Sequence, residues 1–547
     1  MEKTILIGGK AGQGTNVTSY FIGEVFSSLG YYVFNYRDYP SLIRGGHNFN
    51  VIKVSDKPVF SHTNKYDFII ALDQKTIDLH EKDLKKNGFI VGDKSLKAKK
   101  NFQSIDVKPI LKKLKAPQVI ENDIFIGWLF KYFGISEKFL MKELEERFGG
   151  KKIGLIKKSA KIGYELGKET EKFKKLGSQK YFLSGNKAIG IGALAAGIDV
   201  YIAYPMTPAT AVLHYLAKKA PEQNILVLQL ENEIAVANAA LGASFAGART
   251  MVGTSGGGFA LMAEAMSLAG MSETPLVVYL SQRTGPASGV PTYTAQADLK
   301  FAVNIGHGEF TRIVIAPGDP QETITRVQEA FYLSSKYRAL VILVGDKHLG
   351  ESDYSFDALE KSSVSSDRFI VQNPANNYKS YKITKDGNSP RAVPGQGPIV
   401  RTTSYEHNEY GNTTEEADWI VKMNDKRFKK EKIIIKEINK LNPITVYGKG
   451  KNLIIGWGST KGAILDSLKS LKDYRFLQIS YINPFPADLV KKEIKNSKKI
   501  VLVENNATGQ LGDIIAEKTG YIIKNKILQY NARPFIPETI IRKVKKL

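Results

Sequence analysis

Short apolar runs separated by glycine- or proline-rich turns alternate with longer segments whose apolar residues recur at helical spacing. In the first third of the chain, residues 4–7, 31–34, 49–54, 68–71 and 89–91 read as strands and 17–29 as a helix. From 183 to 351 the alternation is more regular. Helices over 186–196, 234–246 and 260–269 are interleaved with strands at 200–203, 225–228, 250–253, 276–280, 313–316 and 340–344. That order predicts a doubly wound, largely parallel sheet with its loops on one edge. Residues 352–440 turn polar, serine-rich at 353–366 and rich in proline, glycine and asparagine at 373–412, and predict an extended connecting segment. Strand-like runs at 453–456, 476–479 and 499–503 mark a third α/β unit over 441–547. The fold class is α/β with three such domains, at 1–175, 183–351 and 441–547, the first ending in a charged linker at 165–179. No fixed-period repeat is visible.

A chain of 547 residues is too long for one ordinary core, which agrees with several domains. Its 43% hydrophobic and 24% charged residues are those of a soluble globular protein. No apolar run is long enough to span a bilayer, and the opening run is too short for a signal peptide, so a cytoplasmic protein with no membrane association is expected. The absence of cysteine excludes disulfides, thiolate metal sites and a cysteine-ligated cluster in this chain. The seven histidines contain no His-x-x-x-His pair, and no metal site is predicted here. The net charge of +24 is mostly lysine, with a dense block from Lys82 to Lys115. It reads either as a solvated face or as an attractant for an acidic partner. Without zinc-finger spacing, an RNA-recognition signature or a basic region with heptads, nucleic acid is not expected.

Candidate chemistry lies on turns. Gly8-Gly9-Lys10-Ala11-Gly12-Gln13-Gly14 joins the first strand to the first helix, but it is neither a P-loop nor a dinucleotide fingerprint. Its N–H groups either hold an anion at the helix start or close a plain tight turn. Tyr204-Pro205-Met206-Thr207-Pro208 leaves the strand at 200–203 in a stiff turn that offers the Thr207 hydroxyl and N–H at a strand's carboxyl end, where ligands sit in α/β folds. Glu231-Asn232-Glu233 opens a helix so rich in alanine and glycine that close packing against a neighbour is expected. A carboxylate there is either a helix-dipole partner or a half-buried group reaching into a cleft. Arg283, directly after the strand at 276–280, offers a guanidinium fork suited to a substrate carboxylate.

Together these segments resemble the α subunits of the 2-oxoacid:ferredoxin oxidoreductases, in the form with a γ domain fused at the N-terminus. Tyr204-Pro205-Met206-Thr207-Pro208 is similar to the family's substrate loop, with Met206 in place of isoleucine. Gly253-Thr254-Ser255-Gly256-Gly257-Gly258-Phe259 is similar to its strand-to-helix loop, and the segment from Gln282 through Arg283 to Thr292 to its second substrate loop. The opening Gly-rich turn and Arg44-Gly45-Gly46 resemble the γ domain. His407-Asn408-Glu409-Tyr410-Gly411 resembles a family segment with an acid at the second position. Gly456-Trp457-Gly458-Ser459-Thr460 and Val503-Glu504-Asn505-Asn506-Ala507-Thr508-Gly509-Gln510 resemble a transketolase C-terminal-like domain, and the middle domain a pyrimidine-binding thiamine diphosphate domain.

The resemblance implies CoA-dependent oxidative decarboxylation of a 2-oxoacid on thiamine diphosphate, with electrons passing to ferredoxin. It implies that Glu233, with Glu231 as runner-up, bonds the cofactor ring nitrogen N1′, and that Pro205, Thr207 and Ser255 line the cofactor. Arg283 and Thr207 would grip the substrate carboxylate, and Thr292 would donate to the 2-oxo oxygen. The chain has no Gly-Asp-Gly for Mg²⁺ and no cysteine for a cluster. Mg²⁺, the 4Fe-4S cluster and half of the thiamine diphosphate site are therefore expected on a β subunit, in an (αβ)1 or (αβ)2 assembly, and the chain alone is expected to be inactive. The substrate expected is 2-oxoglutarate or a broad range of 2-oxoacids. An indolepyruvate- or pyruvate-type relative, and a non-catalytic CoA- or nucleotide-binding scaffold subunit, are the alternatives.

Overall fold

The structure, a computed structural model, describes residues 1–42, 45–360 and 362–547, so Arg44 of the Arg44-Gly45-Gly46 segment lies outside the described residues. Three sheets flanked by helices give the three-domain α/β architecture predicted from the sequence. Contacts divide the residues into two compact units: Met1–Leu183 with Ser352–Leu359 and Ile536–Glu538, and the remainder from Ser184 onward.

The first unit holds an eight-stranded sheet. Its central strand Glu2–Gly9 pairs parallel with Tyr66–Ala71 and antiparallel with Asn48–Ser55. Alternate residues point to opposite faces, and both faces are covered. Ile5, Ile7, Ile52 and Phe68 pack in one apolar cluster, and Leu6, Val51, Ile69 and Ile90 in another. The Gly-rich turn is ordered by its own side chains: Gln13 Oε1 accepts from the Lys10 N–H at 2.6 Å, and Gln13 Nε2 donates to the Leu72 carbonyl at 3.1 Å. Gly14 (φ 80°) begins helix Thr15–Ser28 in the left-handed region, which favours glycine.

The expectation for 352–440 needs two corrections. First, Asp353–Phe356 is a strand of the first sheet, antiparallel to Tyr32–Asp38 with Asp353 opposite Asn35. The Asp353 carboxylate accepts from Asn35 Nδ2 and Arg37 Nη2, each at 2.9 Å. Second, Ala417–Ile438 is a helix whose buried face carries Lys426, Arg427 and Lys430 beside Met423, Ile434 and Ile438. Lys426 and Lys430 both donate to the buried Glu273 carboxylate, Lys430 at 2.5 Å, and Arg427 Nη1 donates to Glu406 at 3.0 Å. These lysines and this arginine stand where an amphipathic helix would show apolar residues, so the helical period is hidden.

In the second unit a seven-stranded sheet runs in the order Tyr481–Asn483, Arg312–Ile315, Leu340–Asp346, Leu276–Gln282, Thr250–Thr254, Val200–Ala203, Leu226–Gln229. All pairs are parallel except the one that Tyr481–Asn483 makes. From Val200–Ala203 the chain goes outward to the edge strand Leu226–Gln229. It then returns to Thr250–Thr254 on the other side. The strand order reverses between those two neighbours, and the crevice outside their carboxyl ends is where such sheets bind ligands. The helix expected over 260–269 is two helices, Gly256–Leu261 and Ala263–Met271, meeting at Met262.

The five-stranded third sheet has the order Ile444–Tyr447, Tyr474–Ile479, Asn452–Gly456, Ile500–Glu504, Asn525–Leu528. Val252, Val278 and Leu280 of the second sheet and Leu453, Ile455, Leu477 and Leu502 of the third belong to one buried cluster. That shared core makes the two α/β domains one compact unit.

Candidate active site

The turn after Val200–Ala203 is held from beneath. Buried Asn186 donates through Nδ2 to the Pro208 carbonyl at 2.9 Å and accepts the Tyr279 hydroxyl at 3.0 Å. Pro205, Met206 and Thr207 are half-buried, and Tyr204 is exposed. After the next strand, Asn232 caps helix Glu233–Phe245 by accepting the Ala235 N–H at 2.9 Å. Glu231 is exposed, whereas Glu233 is 3% exposed. Close packing over the whole small-residue helix is not observed within this chain. Val236, Ala237 and Ala240 are buried, but Asn238 and Ala239 are exposed and Gly242 has nothing within 4 Å of a built Cβ. Among the described residues, the face that carries Ala239 and Gly242 is open.

The Glu233 carboxyl turns inward onto the first turn of helix Gly256–Leu261. A Cβ at Gly258 would lie 2.5 Å from Glu233 Oε1 and 2.2 Å from Thr254 Oγ1, so only glycine admits both. Thr254 Oγ1 in turn contacts Met206 Sδ at 3.9 Å, which joins this group to the proline turn. Arg283 brings in the third cluster by donating from Nη1 to the Thr207 carbonyl at 2.9 Å. Burial lowers the Arg283 pKa, and the Glu233 carboxylate acts in the opposite sense. The expected site residues Pro205, Thr207, Glu233, Ser255 and Arg283 thus occupy neighbouring strand ends beside the switch point.

Thr292 is carried by a loop closed on itself. Gln282 Oε1 accepts the Asp298 N–H at 2.8 Å across its base, and Thr284 pairs with Val290, whose N–H donates to the Thr284 carbonyl at 2.9 Å. Residues 285–290 at its tip are exposed, while Thr292 is 5% exposed. Among the described residues, three polar atoms of this site are buried without a hydrogen-bond partner: Glu233 Oε1, Ser255 Oγ and Thr292 Oγ1. Ser255 stands at the N-cap of helix Gly256–Leu261 yet makes no side-chain capping bond. Leaving such groups unpaired costs about 1–3 kcal/mol each, and atoms of this kind sharing one sheet edge mark a ligand site.

Sequence reasoning missed Gln296 and Asp298, and named Gln282 in its loop without giving it a role. The Asp298 carboxyl would lie 2.7 Å from a Cβ on Gly256, and burial pushes its pKa up to about 6. Its sequence signal, an acid just before an apolar helix start, is shared with any N-cap.

What this geometry defines is an α/β fold with a candidate ligand site at a topological switch point. The family model "Pyruvate flavodoxin/ferredoxin oxidoreductase, thiamine diP-bdg" matches residues 191–426, and "Pyruvate ferredoxin/flavodoxin oxidoreductase" matches residues 4–166. The 2-oxoacid:ferredoxin oxidoreductase subunit alpha of Sulfolobus sp is 32% identical, over 99% of this chain and 96% of its own. With that likeness over the full length, the chain belongs to the α subunits of the 2-oxoacid:ferredoxin oxidoreductases. The 2-oxoglutarate synthase subunit KorA of Methanocaldococcus jannaschii is 30% identical over 61% of this chain and 90% of its own. A solved structure, the 2-oxoglutarate:ferredoxin oxidoreductase of Magnetococcus marinus with 2-oxoglutarate, coenzyme A and succinyl-CoA bound, superposes with a TM-score of 0.90. It is 28% identical and covers 100% of this chain and 99% of that one. Among the described residues no helix is long and apolar enough to cross a membrane.

The thiamine diphosphate-binding domain matched over 191–426 includes Glu233 and Ser255, whose chemistry is compatible with an aminopyrimidine. A buried carboxyl oxygen without a partner at Glu233 suits the ring nitrogen, and an uncommitted hydroxyl at Ser255 offers a second polar contact. Gly257, with nothing within 4 Å of a built Cβ, leaves room beside them.

Proposed function

We propose that this chain, with a β subunit, catalyses the CoA-dependent oxidative decarboxylation of a 2-oxoacid, 2-oxoglutarate or a broad range, to acyl-CoA and CO₂ with reduction of ferredoxin. The observation that carries the reading is the Glu233 carboxyl, buried against Gly258 with Oε1 unpartnered. Thiamine diphosphate, when bound, supplies the nucleophilic carbon and the electron sink for loss of CO₂. Glu233 holds the proton-sharing bond to the ring nitrogen N1′, and its burial keeps water from competing for that bond. Pro205, Thr207 and Ser255 line the cofactor. Arg283 keeps one N–H on the Thr207 carbonyl, which fixes its plane, and presents the rest of the fork to the substrate carboxylate. The Thr292 hydroxyl donates to the 2-oxo oxygen as negative charge grows there.

The remaining parts belong to a partner. With no Gly-Asp-Gly and no cysteine in the chain, Mg²⁺ and a 4Fe-4S cluster are assigned to the β subunit. Exposed Tyr204, Ile234, Leu261 and Val290 around the site, and the open Gly242 face, support a β subunit seated there in an (αβ)1 or (αβ)2 assembly. The names of the relatives support a 2-oxoacid, 2-oxoglutarate among them. The test is reduction of a viologen dye by the co-expressed αβ pair across a panel of 2-oxoacids, with and without CoA. Substrate-dependent reduction is expected from the pair and none from this chain alone. A correctly assembled, cluster-loaded pair that reduces no dye with any 2-oxoacid sinks the proposal.

A further inference from the structure

The two motifs of the C-terminal domain, Gly456-Trp457-Gly458-Ser459 and Val503-Glu504-Asn505-Asn506 through Gln510, have no part in the chemistry above, yet both end on the loop that carries Arg283 and Thr292. Every polar atom of Gln296 is used there. Its Nε2 donates to the Trp457 carbonyl at 2.9 Å, and its Oε1 accepts the Asn505 N–H at 3.0 Å. Its backbone N–H donates to the Asn505 carbonyl at 2.8 Å, and its carbonyl accepts Asn506 Nδ2 at 3.0 Å. Gln510 continues the seam, donating to the Ala297 carbonyl at 2.6 Å and accepting the Lys300 N–H at 2.9 Å. Behind it, the buried Glu504 carboxylate accepts from Asn506 Nδ2 at 2.7 Å, Leu511 N at 3.1 Å, Gly512 N at 3.2 Å and Trp457 Nε1 at 3.3 Å. Side chains that fix one another in this way form a rigid anvil. The loop's tip is exposed, and its base is held by this seam, by the Gln282–Asp298 bond, by the His348 N–H on Thr294 Oγ1 at 3.3 Å and by Arg283 on the Thr207 carbonyl.

We propose that Gln296, supported by Asn505, Asn506 and Gln510, is a positioning residue that holds the substrate loop in register, so that the C-terminal domain sets the placement of Thr292 and Arg283. This rests on the roles given above to those two residues. A displacement of about 1 Å in such groups costs about a hundredfold in rate. A domain glue with no catalytic share would act on stability alone.

The test uses the assembled αβ enzyme with Gln296→Ala, which removes both side-chain bonds, and Gln296→Glu, which keeps the acceptor for Asn505 but turns an oxygen towards the Trp457 carbonyl. Both should raise KM for the 2-oxoacid by about tenfold and lower kcat by about a hundredfold, with thiamine diphosphate binding unchanged. Adding Gln296→Ala to Thr292→Ala should lower kcat by less than about threefold more, because the group it positions for turnover is already gone. If Gln296→Ala does not assemble, Gln510→Ala at the seam's half-exposed rim replaces it, with a KM rise of about fivefold and the same coupling to Thr292→Ala. Independent, multiplying effects in the double variant overturn the proposal, as does a parallel loss of cofactor binding and activity. Should Thr292→Ala and Arg283→Lys alone leave turnover and KM untouched, the reading of the loop itself fails. Should they act as expected while the Gln296 and Gln510 variants do not couple to them, only the positioning role fails.

Discussion

Glu231 and Glu233 are separated by one residue and face different surroundings. The first is exposed, and the second is buried on Gly258 with an unpartnered oxygen. Glu233→Gln keeps the shape and removes the carboxyl that N1′ requires. Turnover of the αβ pair should fall by about a hundredfold to ten-thousandfold with little change in melting temperature. Glu231→Gln should stay near the parent. Steady-state dye reduction decides, and the reverse result moves the assignment two residues upstream. Arg283→Lys keeps the charge but loses the planar fork. With one charge-assisted bond lost, about 1.5–3 kcal/mol, KM should rise by about tenfold or more for every 2-oxoacid. Thr292→Ala should instead lower kcat by about a hundredfold to a thousandfold, because its bond strengthens only as the oxyanion forms. Equal movement of both parameters in both variants argues against the division of roles.

At the scale of single elements, helix Gly256–Leu261 depends on a missing side chain. Gly258→Ala should favour the helix by about 1 kcal/mol through propensity, yet its methyl would fall 2.5 Å from Glu233 Oε1. The carboxyl must swing away, so cofactor binding and turnover should drop together while the fold survives. Calorimetric titration with thiamine diphosphate and a melting curve on the same sample separate the two effects. The three loops of this site were legible in the sequence because each is a local signal: a proline turn, a cap followed by small residues, an arginine directly after an apolar run. Gln296 was not, since its partners Trp457, Asn505 and Asn506 are remote in sequence and a buried glutamine looks like any polar loop residue. Helix Ala417–Ile438 was hidden for another reason. Lys426 and Lys430 occupy its buried face, and the Glu273 carboxylate, with the Tyr337 carbonyl for Lys430, makes that tolerable from far upstream. Asp353–Phe356 is a strand because it lies between Tyr32–Asp38 and Tyr181–Ser184 in the sheet, and no window of local sequence contains it with either.

On the scale of the whole molecule, the lysine block is displayed on a fixed frame. The Lys99 and Lys100 backbone N–H groups both donate to Glu81 Oε1, at 2.5 and 2.7 Å, and Lys97 N–H donates to Gln74 at 2.8 Å, while the three side chains are exposed. If an acidic ferredoxin docks there, its reduction should slow steeply between about 50 and 500 mM salt, as the Debye length shrinks from about 14 to 4 Å. Viologen reduction should change far less. Neutralising Lys97, Lys99 and Lys100 together should flatten the salt dependence. An unchanged slope in that triple variant returns the block to an ordinary solvated face. The first unit's discontinuity has a different consequence, for gene architecture. Its sheet takes Asp353–Phe356 from beyond the whole second α/β domain, and Asp353 ties that strand to Asn35 and Arg37. An open reading frame cut in the 165–179 linker would leave this strand on the other polypeptide and expose the edge of Tyr32–Asp38. A γ-type domain encoded separately from such an ancestor would need a replacement edge strand, or charged residues along that edge, before it could persist as a soluble subunit.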